Sequence, residues 1–300
     1  MFRRLFRVFY NSSPKDYYHF LKKKIPRKKE KGMDRDDFLY GWRLDENFFK
    51  RQDSKVTEVI ERIKSGEDIQ ACLSGFNGKE YGERVVEYPY FASWLLGKGK
   101  DKDLLDIGCV LNNQVVDGLL QERCRSIWFC NPAVERLFVS GDVYYHVAPL
   151  ERAFPLGERF DLITSLSTIE HIGFDNSQYG SKEKPIYYEP SIVPLNQSLA
   201  RITALLKKEG SFLISMPYGY REARTHRLTK KKAFQVFDFE MISASVSKLI
   251  SDGVDANFTV FSGDSTGWHV TDPEACRSRY ANGFPGASAV VLIEGRRNFE

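Results

Sequence analysis

Short apolar runs alternate with longer amphipathic stretches along the chain from about residue 80 onward. The stretches at 195–206 and 239–250 repeat apolar residues at helical spacing. This alternation predicts an α/β fold with a doubly wound, mainly parallel sheet, helices on both faces and ligands at the carboxyl ends of the strands. Seven apolar runs are the predicted strands: residues 104–108, 126–130, 143–147, 160–166, 211–216, 257–262 and 287–294.

The first 80 residues follow a different pattern. Phe2, Leu5, Phe6 and Phe9 share one face of a predicted helix, and apolar spacing predicts a second helix over 56–64. We therefore divide the chain into three predicted parts. They are a basic amphipathic arm and linker (1–37), a helical N-terminal extension (38–80) and the α/β domain (81–300).

Charge separates the arm from the rest of the chain. Residues 1–32 contain eleven Lys and Arg against Asp16 and Glu30, a net +9, and the remaining residues hold 33 basic and 38 acidic side chains, a net −5. Basic residues beside an aromatic stripe favour docking on an anionic membrane surface, at about 1 kcal/mol per basic residue. The alternatives are a solvated tail whose first turn packs on the body and nucleic-acid binding, which nothing else in the chain supports.

Composition indicates the cellular setting. The five cysteines form no C-x-x-C pair and no histidine stands at zinc-finger spacing, so we expect no disulfide framework, no metal site and a reducing cytoplasm. Every apolar run is shorter than the roughly 20 residues of a membrane span. We therefore expect a cytoplasmic protein, peripheral at the inner membrane face if the arm docks there, with no nucleic-acid partner.

A glycine ends the first predicted strand. Gly108 would let a ligand approach the backbone, and a helix beginning near Asn113 would offer free N–H donors to an anion; a tight connection without a ligand is the alternative. Asp106 lies inside the same apolar strand, where a carboxylate needs a backbone or ligand partner. Upstream, Arg84 and Glu87 suit the carboxylate and amino groups of an amino acid or, alternatively, form a surface helix pair.

The predicted strand 160–166 runs into a polar segment, residues 167–173, that reads STIEHIG. With Tyr179 and Gly180, this segment resembles the class I S-adenosylmethionine-dependent methyltransferase superfamily, in particular bacterial methyltransferase-domain proteins met among surface-polysaccharide genes. The resemblance implies a seven-stranded, Rossmann-like methyltransferase sheet and S-adenosylmethionine as the cofactor. It covers about residues 82–295 and rests on several short motifs: 84–89, 105–109, 167–173, 205–219, 226–227 and 267–268.

The cofactor motifs depart from the superfamily pattern. Val110 and Asn112 stand where glycines are usual, Phe129 stands where an acid usually holds the ribose, and 147–150 lacks the aspartate that often meets the adenine amine. Asn131 is the remaining ribose donor. These departures favour, as an alternative, a catalytically degenerate member. The cofactor-binding residues that the resemblance implies are Arg84, Glu87, Asp106, Gly108, Phe129, Asn131, Leu150 and Ser165.

The resemblance also implies where a methyl group would be transferred. His171 is the candidate base, because an imidazole with an ordinary pKa near 6.5 can take a proton from the methyl acceptor. Glu170 would orient His171 or bind an acceptor hydroxyl. In the alternative, Glu170 caps a loop and His171 packs under the adenosine. The candidate substrate-binding residues, of which the aromatic ones equally suit core positions, are Tyr218, His226, Arg227 and Trp268.

The leading prediction is an S-adenosylmethionine-dependent O-methyltransferase acting on a carbohydrate or glycan intermediate, a substrate class that comes from the resemblance alone. The alternative is a binding or scaffold protein that keeps the fold without turnover. A nicotinamide-dependent oxidoreductase is excluded, because Gly108 has no partners for a G-x-G-x-x-G fingerprint.

Overall fold

The computed structural model of the chain describes residues 47–298, except 134, 153, 155–158, 178–183, 226–230 and 282–285. The basic arm therefore lies outside the described residues. The helices are α1 (Phe48–Lys64), α2 (Ile69–Cys72), α3 (Arg84–Leu96), α4 (Gln114–Arg123), α5 (Val193–Leu205) and α6 (Phe239–Ser251). The strands are β1 (Lys102–Ile107), β2 (Cys124–Asn131), β3 (Val143–Val147), β4 (Phe160–Leu166), β5 (Leu206–Pro217), β6 (Glu222–Thr225), β7 (Lys232–Val236), β8 (Val254–Gly263), β9 (Trp268–Thr271) and β10 (Ala289–Arg297).

The main sheet has eight strands in the order β3–β2–β1–β4–β5–β10–β8–β9, and β6 and β7 pair separately. Strands β1 to β5 are parallel, whereas β10 is antiparallel to β5 and β8, and β9 is antiparallel to β8. The predicted α/β class with a mainly parallel sheet is confirmed. All seven predicted strands are present. The eighth, β9, was not predicted because a run of four residues is too short to stand out.

Helices cover both faces of the sheet. Side chains of a strand alternate between faces: Leu104 of β1 packs with α1, α3 and α4, whereas Leu105 and Ile107 pack with α5 and α6. We call these sides the α3 face and the α6 face. The helical extension packs on the same core, since four apolar residues of α1 are buried beside Phe91 of α3. The domain boundary at residue 80 stays a prediction.

The strand order reverses at β1. From β1 the chain passes through β2 to the edge strand β3 and returns to β4 on the other side of β1. The connections after β1 and β4 therefore leave the carboxyl ends of these neighbouring strands in opposite directions. Ligands of α/β sheets bind in the crevice between two such connections. This edge, which we call the switch-point edge, collects the loop after β1, the 3₁₀ turn Ile169–His171 after β4 and the start of α3. No helix in the described part of the chain has the length and apolar character needed to cross a bilayer.

Candidate active site

The loop after β1 turns back over its own strand. Gly108 (φ +97°) and Cys109 (φ +64°) both adopt the left-handed conformation that glycine adopts most freely. Asp106 closes this turn: one carboxylate oxygen accepts from Leu111 N at 2.8 Å and the other from Thr164 Oγ1 at 2.8 Å. Burial raises the pKa of Asp106 to about 7. Asp106 therefore has a backbone partner, one of the two roles predicted for it.

Gly108 makes room for a side chain of the protein. A Cβ atom at Gly108 would lie 2.0 Å from Thr168 Oγ1, and Thr168 is itself held because its hydroxyl donates to Leu166 O at 3.0 Å. We expected a ligand to approach Gly108. The structure places the side chain of Thr168 there.

The rest of the loop after β1 is hydrogen-bonded to α3 and to the segment after β2. Tyr88 of α3 donates its hydroxyl to Val110 O at 2.9 Å. The buried amide of Asn112 donates to Arg136 O at 2.6 Å and accepts from Phe138 N at 2.7 Å. The asparagine that replaces a glycine of the superfamily pattern thus joins the loop after β1 to the segment after β2.

The first turn of α3 brings a buried ion pair to the switch-point edge. Glu87 is fully buried and pairs with Arg84, whose side chain is 25% exposed. The second oxygen of Glu87 accepts from Ser167 Oγ and Ser215 Oγ, each at 2.5 Å. The surface-pair alternative is wrong, because Glu87 is buried against the ends of β4 and β5. Three donors already hold this carboxylate, so it is poorly placed to take the amino group of a ligand.

Two further carboxyls stand close to this ion pair. Glu170 is 2% exposed, and its Oε2 has no hydrogen-bond partner among the residues that the structure describes. Burial, with Glu87 and Glu83 nearby, raises the pKa of Glu170 well above its ordinary value, although its own backbone N–H and Arg84 oppose the shift. Burial also raises the pKa of Glu83, which accepts from Ala287 N at 3.0 Å. We call Glu83, Arg84, Glu87 and Glu170 the acidic cluster; it sets three carboxyls around one guanidinium.

His171 is the last residue of the 3₁₀ turn and packs against β7. Its Nδ1 is 2.9 Å from Ala233 O, and its ring centroid is 5.4 Å from that of Phe234. Because a carbonyl oxygen only accepts, Nδ1 carries the proton and Nε2 is the acceptor nitrogen of a neutral ring. Burial lowers the pKa of His171 to about 4, although the bond to Ala233 opposes the shift. The ring is thus in the unprotonated state that a base requires, and the same burial weakens it as a base.

The carboxyl end of β2 holds an acid that sequence reasoning missed. Phe129 is fully buried in the α3-face core beside Tyr145, so it does not line a pocket as predicted. Asn131 Nδ2 donates instead to Glu135 Oε1 at 2.9 Å. Burial raises the pKa of Glu135, and its charge acts on Asp106. Glu135 stands four residues after Asn131, and that proximity in sequence is the signal that could have found it.

Two more predicted cofactor residues lie in the core. Leu150 is 4% exposed and packs on the α6 face. Ser165 is fully buried, and its hydroxyl has no hydrogen-bond partner among the described residues. Because Thr164 contacts Asp106 on the α3 face, the next side chain in β4 points to the α6 face. Both residues are therefore on the side of the sheet opposite to Glu87.

The aromatic residues predicted to bind the acceptor are core residues. Tyr218 is 2% exposed and donates its hydroxyl to Pro273 O at 2.7 Å. Trp268 is fully buried, and its backbone N donates to Leu73 O at 2.9 Å. Neither has exposed surface for a substrate, which corrects the prediction. The other predicted residues and the rest of the motif lie outside the described residues: His226, Arg227, Tyr179 and Gly180.

Two tyrosine rings near this edge pack against arginine guanidinium groups. Arg279 lies over the ring of Tyr220, 5.1 Å from its centroid, and Arg224 lies over Tyr280 at 5.5 Å. Tyr220 is 45% exposed. Tyr280 contacts Phe234 at 4.9 Å, and Phe234 in turn packs on His171. An aromatic and cationic surface therefore borders the candidate base.

Metal-ligating side chains and grooves among the described residues do not identify a ligand site at the switch-point edge. In the described part of the chain, no group of three His, Cys, Asp or Glu side chains could hold a metal ion. A groove of about 430 Å³ opens at the opposite edge of the sheet, near the amino ends of the strands. It is lined in part by Asp103, Arg125, Trp128, Asp142, Tyr144 and Phe160.

Solved structures with a similar fold are S-adenosylmethionine-dependent methyltransferases. The N-methyltransferase NodS from Bradyrhizobium japonicum is 12% identical, with 85% of this chain and 99% of that chain covered and a TM-score of 0.41. For the 1,6-didemethyltoxoflavin-N1-methyltransferase from Burkholderia thailandensis the identity is 13%, the coverage 87% and 94%, and the TM-score 0.44. A methyltransferase from Methanosarcina mazei is 10% identical, with coverage of 67% and 94% and a TM-score of 0.42. No protein-family profile matches the sequence, and no curated protein does.

Proposed function

We propose that this chain is an S-adenosylmethionine-dependent methyltransferase. The observation that carries the proposal is the placement of charge at the switch-point edge. The acidic cluster stands on the β4 and β5 side of the loop after β1, and Glu135 with Asn131 stands on the β2 side. A ligand that joins an amino acid to a nucleoside presents an ammonium and a carboxylate at one end and ribose hydroxyls at the other.

The residues present fit such a ligand. Glu170 Oε2 is a buried acceptor to which no described residue donates, which suits the ammonium group, and Arg84 suits the carboxylate. Glu135 and Asn131 suit the ribose hydroxyls, where a bond to a charged group contributes about 1.5–3 kcal/mol. The ammonium role thus moves from Glu87, which three donors hold, to Glu170. When bound, the cofactor supplies a methyl group activated by a sulfonium.

His171 is the proposed proton acceptor. His171 Nε2 would take the proton of the acceptor hydroxyl, and the Nδ1–H bond to Ala233 O keeps the ring in the required tautomer. The lowered pKa makes His171 a weak base. Positioning of donor and acceptor therefore provides most of the proposed rate enhancement.

We propose a carbohydrate or glycan intermediate as the acceptor, methylated on oxygen. The support is the resemblance to methyltransferase domains met among polysaccharide genes, together with the exposed Tyr220 beside Arg279. Aromatic faces suit the apolar face of a sugar ring, and guanidinium groups suit its hydroxyl or acidic substituents. The basic arm would hold such an enzyme at the cytoplasmic face of an anionic membrane.

A binding or scaffold protein without turnover is the second candidate, and Thr168 favours it. Its side chain fills the space over Gly108, and the loop after β1 is already satisfied by protein partners. A nucleoside could enter there only if Thr168 moved.

Calorimetric titration with S-adenosylmethionine and S-adenosylhomocysteine separates the two candidates. The enzyme should bind with Kd in the range of about 1–100 μM, and Glu135→Gln should weaken binding about ten- to a hundredfold, since a lost charged bond costs about 1.5–3 kcal/mol. The exposed Glu122→Gln, on α4, is the matched control and should bind as the unaltered chain does. Absence of binding at about 1 mM ligand would leave the scaffold as the function.

A further inference from the structure

The acidic cluster carries more negative charge than its protein partners neutralise. Glu87 is paired with Arg84. Glu83 has a backbone donor in Ala287 N and lies against Gly286, where a Cβ atom would be 1.9 Å from its Oε2. Glu170 is 2% exposed, and within the described ranges no group donates to its Oε2. A buried carboxylate in that position is costly unless it holds a proton or meets a cation.

Among the residues that the structure describes, Arg84 is the cation whose charge acts on the Glu170 carboxyl, together with Glu87 of α3 and its N-cap residue Glu83. The end of β5 contributes the neutral Ser215, and the first two turns of α5 carry no charged residue. Strand β7 contributes the carbonyl and ring that hold the neutral His171, and its Lys232 donates to Ala223 O. Arg84 is moreover shared with Asp106 of β1. A second positive charge beside Glu170 would therefore come from a ligand.

We propose that Glu170 holds a proton in the unliganded protein and exchanges it for a cationic group of the ligand. The inference rests on the proposed function, under which that group is the ammonium of the amino-acid moiety. The O–H bond of the Glu170 carboxyl breaks, the proton passes to solvent on the side where Arg84 is 25% exposed, and the carboxylate accepts a hydrogen bond from the ammonium.

This exchange makes cofactor affinity depend on pH in a defined direction. While Glu170 is protonated, each bound ligand must displace one proton, so affinity rises with pH by up to tenfold per pH unit. The rise levels off above the raised pKa of Glu170. A nucleoside without the amino acid, such as methylthioadenosine, displaces no proton and shows no such rise.

The test is calorimetric titration of the full chain near neutral pH in phosphate and in Tris, two buffers with different ionisation enthalpies. S-adenosylhomocysteine should release up to one proton per site, and methylthioadenosine should release none. Glu170→Gln should bind S-adenosylhomocysteine without proton release. Glu209→Gln, an exposed residue paired with Arg296 on the far end of the sheet, should release as the unaltered chain does.

The outcomes separate this inference from the proposed function. Absence of S-adenosylhomocysteine binding overturns both. Binding without proton release, or release that survives Glu170→Gln, overturns the inference and leaves the function standing. If Glu170→Gln does not fold, equal release by S-adenosylhomocysteine and methylthioadenosine is the overturning result. Glu83→Gln should keep the release, because its backbone donor already holds that carboxyl; release lost there and kept in Glu170→Gln would place the proton on Glu83.

Discussion

Polar side chains at the switch-point edge hold loops in place through hydrogen bonds that their sequence positions alone do not predict. Asp106 was predicted to need a partner, and it holds the turn after β1 through Leu111 and Thr164. Asn112 stands where a glycine is usual in the superfamily pattern, and it joins two loops. Sequence spacing identified these residues as unusual. It could not identify most of their partners, because Arg136 and Phe138 lie more than twenty residues from Asn112 and Thr164 lies on a neighbouring strand.

Replacing His171 by Gln should remove an acid-dependent loss of stability. The folded pKa of about 4 lies below the ordinary value of 6.5, so between these pH values the unfolded chain binds a proton that the folded chain does not. The unfolding free energy therefore rises with pH across this window, by about 3 kcal/mol in total. Urea unfolding of both proteins from about pH 4 to about pH 7 measures the difference.

The exposed His269→Gln is the matched control for this experiment, since its side chain is 42% exposed. His269→Gln should change the unfolding free energy by less than about 1 kcal/mol, because its contact with Asp264 at 3.5 Å is a surface pair. If His171→Gln also gave a parallel curve, His171 would titrate normally and would not be buried as described.

Loop geometry after β1 predicts the effect of adding one methyl group. Gly108→Ala combines a left-handed backbone with a contact to Thr168, and we expect a loss of about 3 kcal/mol in unfolding free energy. Adding Thr168→Gly in the same chain should recover the part that comes from the contact, leaving about 1–2 kcal/mol of backbone strain. Chemical denaturation of Gly108→Ala, Thr168→Gly and the double variant completes this double-mutant cycle.

Gly118→Ala is the control for that cycle. Gly118 lies in α4, and a Cβ atom there meets nothing within 4 Å. Because alanine is favoured over glycine inside a helix, this change should stabilise the chain by about 0.5–1 kcal/mol. A Gly108→Ala variant as stable as the unaltered chain would mean that Thr168 does not occupy the space over Gly108.

Strand β9 tests whether Trp268 packs or binds. Trp268 is fully buried, so Trp268→Ala should cost about 3–5 kcal/mol of unfolding free energy. Val270→Ala, on the same strand and 44% exposed, should change stability by less than about 0.5 kcal/mol. Thermal and urea unfolding measure both. A stable Trp268→Ala variant would contradict the core assignment and return Trp268 to the substrate-binding candidates.

The elements were more predictable than the contacts between them. Strands β1, β2, β4, β5, β8 and β10 stand out because each buries apolar residues on one or both faces. Strand β3 has no buried residue, and its valines and tyrosines were the signal that predicted it. The strands β6 and β7 are short and contain charged residues such as Glu222 and Arg224. The spacing of apolar residues therefore did not predict that these two strands pair. That hairpin supplies the carbonyl that holds His171. The part of the site that depends on it could not be predicted from the sequence.

The division of charge along the whole molecule leads to a prediction about membranes. Residues 1–32 carry a net +9 while the rest carries −5, so an anionic bilayer should attract one end of the chain and repel the other. Each basic residue near such a surface contributes about 1 kcal/mol. Replacing five lysines of the arm by Gln should therefore weaken sedimentation with anionic vesicles at least a hundredfold. The five are Lys22, Lys23, Lys24, Lys28 and Lys29.

A matched variant distinguishes local attraction from total charge. Five body lysines changed to Gln lower the net charge equally, yet the arm would remain intact and vesicle binding should persist; they are Lys64, Lys79, Lys98, Lys100 and Lys248. Binding should also fall as salt rises, because the Debye length shortens from about 10 Å at 0.1 M to about 3 Å at 1 M. Equal loss in both variants would show that total charge governs binding, whereas sedimentation unaffected by either would favour the solvated tail. An aromatic stripe gains from insertion only after charge has brought it to the surface, so the arm lysines should matter first.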